Sequence, residues 1–505
     1  MAEWAISIVL WLLAGSFIYV LLWLSYTYFI SPLSLIPNAG ILAPVSRLLW
    51  AFPSEHRGRI TLDLPRLHEK YGPLVRIGPK ELSFYSLDIY KTVNTVQSPF
   101  IKDPRVYGGF VQDAHPGLFS ITDAYEHAQR RRLMGQIFNR SKMNLLEGYM
   151  TEKIAAFVLL LRQRGVQPVE LVRACRALEA DIVASFGFGE DIGAIAAWGS
   201  GHDVNIIKEN DDKAQIMALL SNLPSVTTAW YRIESILYNF TGWQTLSTTA
   251  MKDFDKWASS QLDRLTSISK PPFEPHPNFI STMIRSRLPP TIALSEAKEM
   301  LGPGTDTTSL TLAHILWGLA HDISFQDSLA ADLALAHWPT NMTGLEALPR
   351  LRAAVKEGIR WAGAAAAMLP RIVPKDGATL AGKFIPGGTV ISSSPIWYLR
   401  DKAAFPSSEI YRPTRWLDGD AESINPLRDE YYIPFSKGSF VCIGAHFAYL
   451  ELYLSLSQIL KSFRLTLPDS GGTSMLSREA RLPGRLEWVA AVPVDRLEVH
   501  FLARL

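Results

Sequence analysis

The segment Phe435-Ser-Lys-Gly-Ser-Phe-Val-Cys442-Ile-Gly444 sets one cysteine between Gly438 and Gly444, in a loop that leads into an amphipathic stretch. The apolar face of that stretch runs through Ala448, Leu452, Ile459 and Phe463. A thiol at a helix N-terminus has its thiolate favoured by the dipole and by N–H groups the helix leaves open. Glycines on either side let the backbone approach a flat ligand closely. Without further context, a lone cysteine is more often a buried, inert core residue.

Three other constellations carry possible chemistry. Glu357-Gly-Ile-Arg360 puts an acid and a base at i, i+3, on one helix face; alone this is an ordinary surface ion pair worth a few tenths of a kcal/mol. Gly302-Pro303-Gly304-Thr305-Asp306-Thr307-Thr308 lies inside a helical run. Glycines there cost roughly 0.5–1 kcal/mol each, so either a function retains them or the segment is a helix start capped by Thr or Asp. His127-Ala-Gln-Arg130-Arg131-Arg132 gathers cations; it reads as an anion-binding group, a solvated face, or a docking patch for an acidic partner.

These groups need a large frame. The chain has 505 residues, 48% hydrophobic and 19% charged, which supplies a core and excludes global disorder. Fifty Lys and Arg against 48 Asp and Glu leave a net charge of +2, so no nucleic-acid partner is expected. Cys175 and Cys442 are too far apart for zinc spacing and suggest no disulfide framework. Cys175, in the helical pattern LVRACRALEADIVASF, reads as core.

No charge falls between Glu3 and Arg47, and Ala5 to Ile30 reads AISIVLWLLAGSFIYVLLWLSYTYFI. At about 1.5 Å per residue this crosses a hydrocarbon core. It is longer than the roughly 7–15 apolar residues of a cleavable signal and lacks a basic start. A retained single-span anchor is expected, with Arg47, Arg57 and Arg59 favouring a cytosolic C-terminal domain. Residues 1–30 are thus expected to be the anchor, 31–60 a proline-containing linker and 61–505 one large domain. The linker's Ser31–Pro44, with three prolines and no charge, should be stiff and lie against the membrane.

Strands are expected at Pro73–Gly78 and Glu81–Tyr85, and small strands within Ala378–Ser393. Helical patterns cover Glu126–Phe138, Leu145–Arg162, Leu171–Phe186, Met251–Leu265, Ser295–His321, Leu351–Trp361 and Cys442–Phe463. A proline-rich surface loop spans Lys270–Asn278. The fold class is mainly α with minor β.

The cysteine segment resembles the haem-binding loop of the cytochrome P450 superfamily, F-x-x-G-x-R-x-C-x-G followed by Ala and Glu; Phe435, Gly438, Cys442, Gly444, Ala448 and Glu451 match at their spacings. The resemblance implies the P450 fold behind an N-terminal transmembrane helix, haem b (iron protoporphyrin IX) as cofactor, and Cys442 as the thiolate ligand that pushes electron density toward O–O cleavage. Phe440 departs from the pattern, standing where a donor to a haem propionate is usual. Glu357-x-x-Arg360 followed by Tyr411-Arg-Pro413-Thr-Arg415-Trp416 resembles the family's buried Glu–Arg–Arg network, a structural role. The Gly302–Thr308 segment resembles A/G-G-x-D/E-T of the helix crossing the distal haem face, where Asp306 and Thr307 would form an acid–hydroxyl proton relay. Pro303 departs there, at a position usually small. His127 and Arg131 match W/H-x-x-x-R, and Arg371 another propionate contact. Tyr71–Phe84 looks like the microsomal members of fungal secondary metabolism.

The resemblance implies a monooxygenase acting on a lipophilic small molecule, at the endoplasmic reticulum membrane, with electrons from NADPH–cytochrome P450 reductase. The reductase would dock on the proximal face, where Lys437 and Arg130–Arg132 are expected. Pro303 and Phe440 motivate a second reading, a haem-thiolate isomerase, dehydratase or cyclising enzyme, against which the intact Asp306–Thr307 pair counts. A third is a non-catalytic haem-binding homologue. Substrate contacts are expected from Val106–Ser120, His202–Tyr238 and Gly363–Leu369. The alanines of the last segment either leave room for a bulky substrate or extend a helix.

Overall fold

The computed structural model describes residues 2–266, 276–468 and 479–504. Most of the proline-rich 270–278 loop lies outside the described residues. The chain divides into two compact units, Met1–Asp103 with Met368–Ser394, and Pro104–Ala367 with Pro395–Leu505.

The smaller unit begins with the helix Ala2–Ser25, which continues into a π-helical turn, Tyr26–Ile30, closed by the Ser31 N–H on the Tyr26 carbonyl at 2.8 Å. Ile6–Ile30, 25 residues with a mean hydropathy of 2.2, is long and apolar enough to cross a membrane. Trp11, Leu12 and Phe17 on it are exposed. The linker that follows is not a free spacer. Leu33 and Ile36 are buried, Asn38 bridges to Arg76 in parallel, and the Arg76 N–H donates to the Pro37 carbonyl at 2.7 Å. The buried Arg76 guanidinium reaches back to the Thr27 carbonyl at 2.8 Å and to the Pro79 carbonyl at 2.7 Å.

Arg76 belongs to a five-stranded sheet ordered Leu74–Gly78, Glu81–Phe84, Val390–Ser392, Arg371–Ile372 and Ile101–Lys102. The second and third strands are parallel; the other neighbours are antiparallel. The hairpin Ala378–Leu380/Lys383–Ile385 turns at Ala381 and Gly382, both at positive φ as a type I′ turn demands.

The larger unit is mainly helical, with a three-stranded and a two-stranded sheet. Its longest helix, Pro290–His321, starts five residues before the pattern suggests because Pro290 suits the first turn, where a missing N–H is harmless. Pro303 lies inside it without ending it, so the Gly302–Thr308 segment is mid-helix and not a capped start. This long helix packs along Leu171–Phe188, and Gly304 permits the approach: a Cβ there would sit 3.2 Å from the Val183 methyls. Phe138, Phe186, Phe279 and Phe447, from four helices, form one ring cluster in the core, with Phe186 and Phe447 centroids 4.9 Å apart. Cys175 is buried there, as expected.

The helix after the cysteine loop is Ala445–Ser462, three residues shorter at its start than the pattern suggests. The helices Asn205–Asn222 and Pro224–Thr241 follow one another in the chain. On the second of them Val226, Trp230, Ile233, Leu237 and Phe240 are all exposed.

Candidate active site

The cysteine loop closes on itself. The Cys442 N–H donates to the Phe435 carbonyl at 2.8 Å, and a 3₁₀ turn at Gly438–Phe440 reverses the chain between them. Gly438 has φ +67°, a left-handed conformation that glycine adopts without strain. Gly444 caps the following helix, and its N–H points at the cysteine sulfur. The Phe435 ring packs against Tyr449, centroids 5.5 Å apart, fixing the loop to that helix. Cys442 is the one exposed residue between positions 431 and 450, among neighbours that are half-buried or buried. Burial of the surrounding loop pushes its thiol up, against the Gly444 N–H and the Arg131 charge.

Arg131 and His127 come to this loop from the helix Ala124–Phe138. Arg131 donates to the Val441 carbonyl at 2.7 Å. His127 is buried, and its ring meets Phe440 edge to face with centroids 4.9 Å apart. Phe440, unable to pair with a carboxylate, thus orients the neighbouring imidazole by ring contact. The basic cluster is not a solvated face: Arg130 is buried and bonded to Glu296 at 2.7 Å, and of the three arginines only Arg132 is exposed. Arg371 is buried in the smaller unit's sheet and donates to the Pro370 carbonyl at 3.0 Å.

On the long helix Asp306 and Thr307 have different partners. Arg176, from the helix Leu171–Phe188, holds the Asp306 carboxylate at 2.7 Å. The Thr307 hydroxyl donates to the Pro303 carbonyl at 2.9 Å, on a side of the helix where Pro303 is exposed.

Glu357 and Arg360, on the helix Pro349–Ala362, are fully buried, unlike an ordinary surface pair. Arg360 makes a two-pronged bond to Glu357, 2.8 Å on each oxygen. Arg415 adds a bond at 3.1 Å, the Trp416 indole one at 2.9 Å and the Arg412 N–H one at 3.0 Å. Burial opposes the charge on Glu357, but Arg360 and Arg415 hold its carboxyl below the usual range. Burial brings Arg415 down to about 10. Glu422, which also pairs with Arg415 and Arg412, carried no signal in motif spacing.

The alanines after this helix do not extend it. Gly363 ends the helix at φ +49°, Ala365 bridges to Ala490, and the Ala366 and Ala367 N–H groups both reach the Val489 carbonyl at 3.2 Å. Ala365 is exposed whereas Ala366 is wholly buried.

The donors around Cys442 suit an iron porphyrin: a soft sulfur open to a ligand, apolar Phe435, Phe440 and Val441 beside it, and Arg131 and His127 as polar neighbours. The family model for cytochrome P450 matches residues 43–483. This chain belongs to the cytochrome P450 family, whose cofactor is a thiolate-bound haem, and its enzyme class is monooxygenase. Among curated relatives, cytochrome P450 monooxygenase sdnE of Sordaria araneosa is 27% identical over 475 residues, 90% of this chain and 91% of that one. Monooxygenase macH of Penicillium terrestre is 26% identical, covering 91% and 92%. Monooxygenase astJ of Aspergillus oryzae is 28% identical, covering 88% of each.

Proposed function

We propose that this P450 is a membrane-anchored monooxygenase of fungal secondary metabolism, which places one atom of O2 in a lipophilic small molecule and releases the other as water. The observation that carries this reading is that Cys442 is exposed within a half-buried loop whose backbone Arg131 braces. Haem b, when bound, supplies oxygen activation and the bond-making chemistry. Two electrons come from NADPH–cytochrome P450 reductase, at the endoplasmic reticulum membrane.

Cys442 holds the iron. Phe435, Gly438 and Gly444 keep its sulfur at the loop surface. Arg131, His127 and Arg371 are donors for the propionates, with Phe440 setting the His127 ring angle. The Thr307 hydroxyl holds a proton on the accessible side of the long helix, bonded to the Pro303 carbonyl. Asp306 feeds that hydroxyl by exchanging its Arg176 contact for a proton-bearing one. Glu357, Arg360 and Arg415 have a structural role.

The reduced, CO-bound absorption spectrum tests this, wild type beside Cys442→Ala. A red-shifted Soret band in the wild type alone is the expected result. Haem retained without that band would overturn the thiolate assignment. One observation favours a second reading, an isomerase or dehydratase that needs no external electrons: Asp306 is already engaged by Arg176. Turnover that requires NADPH and reductase separates the two.

A further inference from the structure

Glu451 matches the pattern that follows the cysteine loop, and the site described above leaves it without a task. It is wholly buried on the helix Ala445–Ser462. Facing it is a second wholly buried carboxyl, Glu179, on the helix Leu171–Phe188. Aromatic packing sets this register. Phe186 and Phe447 have centroids 4.9 Å apart; Glu179 stands two turns before Phe186, and Glu451 one turn after Phe447.

None of the four carboxyl oxygens has a hydrogen-bond donor among the described residues. The titratable groups around them supply no counter-charge. Tyr149, on the helix Glu147–Arg164, and Cys175, on the same helix as Glu179, are both buried, and the Tyr149 hydroxyl also lacks a partner. Burial first, and then the nearby carboxyls, push the Tyr149 phenol and the Cys175 thiol up. Among the described residues no charged group from the long helix, or from any other element packed here, reaches the pair.

Two ionised carboxylates in contact would each lose their hydration and would also repel one another. A single proton between them removes one charge and makes a strong O–H···O bond to the other. Burial pushes both carboxyls up, and the Glu451 charge adds to this at Glu179. Such a pair takes up and releases protons as a unit.

We infer that Glu179 and Glu451 share a proton at neutral pH, and that the protonated pair is a joint holding the helix of the cysteine loop to the helix whose Arg176 grips Asp306. Arg176 lies one turn before Glu179, and Gly444, next but one to Cys442, caps the other helix. The two glutamates act on the site through these helices, as positioning residues. Loss of the proton sets two charges face to face in the core, so the joint opens and the cysteine loop loses its backing. The folded pair holds its proton more tightly than the unfolded chain. Its contribution is therefore complete below the ordinary glutamate range and is lost as pH rises through the higher folded value.

Two measurements on the full-length holoenzyme test the joint. At about pH 8, above the Glu296 titration, infrared spectra with isotope-labelled glutamate should show an un-ionised carboxyl that the double variant Glu179→Gln/Glu451→Gln removes. In pH jumps, decay of the red-shifted Soret band of the reduced, CO-bound protein should quicken about ten-fold per pH unit as the shared proton is lost. The double variant, whose amides bond to each other without a charge, should flatten that slope and keep the band. Absence of the un-ionised carboxyl from the wild type overturns the inference, and so does a double variant with the wild-type slope. A slope that added KCl or CaCl2 abolishes would put a metal cation in the proton's place, which overturns it too. If the double variant does not fold, the infrared spectrum of the wild type decides alone. A protein without the red-shifted band at any pH fails the functional reading, and the infrared result still decides the joint.

Discussion

The Glu357 network and the Cys442 loop lie in one unit and solve opposite problems. Glu357 carries a charge, yet both its oxygens are bonded and no part of it meets solvent. Cys442 is an uncharged thiol by default, the residue type most at home in a core, and it alone is exposed in its stretch of chain. The charged group is therefore closed off by its partners, and the apolar-like one stands open. Residue type did not decide this; the completeness of each group's partners did.

The largest expected effect comes from breaking the closed region. Glu357→Ala would leave Arg360 buried without a carboxylate and Arg415 with Glu422 alone, at a cost of about 3–5 kcal/mol. Thermal denaturation should show a much lower midpoint or no folded protein. Because the Glu357 carboxyl is held below its usual range, its contribution is present above the ordinary glutamate pKa and is lost as pH falls through the lower folded value.

Glu296 supplies the opposite sign. Burial pushes its carboxyl up to about 7, against the Leu118 N–H and Arg130. The folded state then holds this proton more tightly than the unfolded chain, so stability declines as pH rises from about 4.5 to about 7. The decline amounts to roughly 3 kcal/mol at most. Glu296→Gln should lack that slope in denaturation series taken across the interval; an unchanged slope would show that another group titrates there.

The smallest stability effect should come from the open region. Cys442→Ala, compared with wild type in the haem-free form, should shift denaturation by less than about 1 kcal/mol, because the sulfur fills no core space. A loss as large as that of Glu357→Ala would collapse the contrast between the two regions.

Motif spacing located what is local. Cys442 with its glycines and the i, i+3 pair Glu357–Arg360 were legible because one loop or one helical turn carries each of them. The helices that hold them were legible too, to within a few residues, from their apolar periodicity. Partners brought in by packing were not. Arg176 meets Asp306 across 130 positions of sequence, and in its own helix it is one more arginine on a mixed face. Arg130 looked solvated beside Arg131 and Arg132, although Glu296, 166 positions away, buries it. The alanines after Gly363 favoured a helix by propensity, and pairing with residues 489–490 overrode it.

The π-helical turn that ends the first helix is tied to the first sheet through Arg76. Arg76, on the sheet, grips the Thr27 carbonyl, Trp23 reaches the Val45 carbonyl at 3.3 Å, and Lys383, on the separate hairpin, holds the Leu35 carbonyl at 2.9 Å. A helix of this length is about 36 Å long, and tilting it by about 10° would move its far end by about 6 Å. For a spanning helix, bilayer thickness is one of the things that sets such a tilt. If the helix spans a bilayer, a change of lipid would pull on the sheet through the Arg76–Thr27 bond as it tilts the helix.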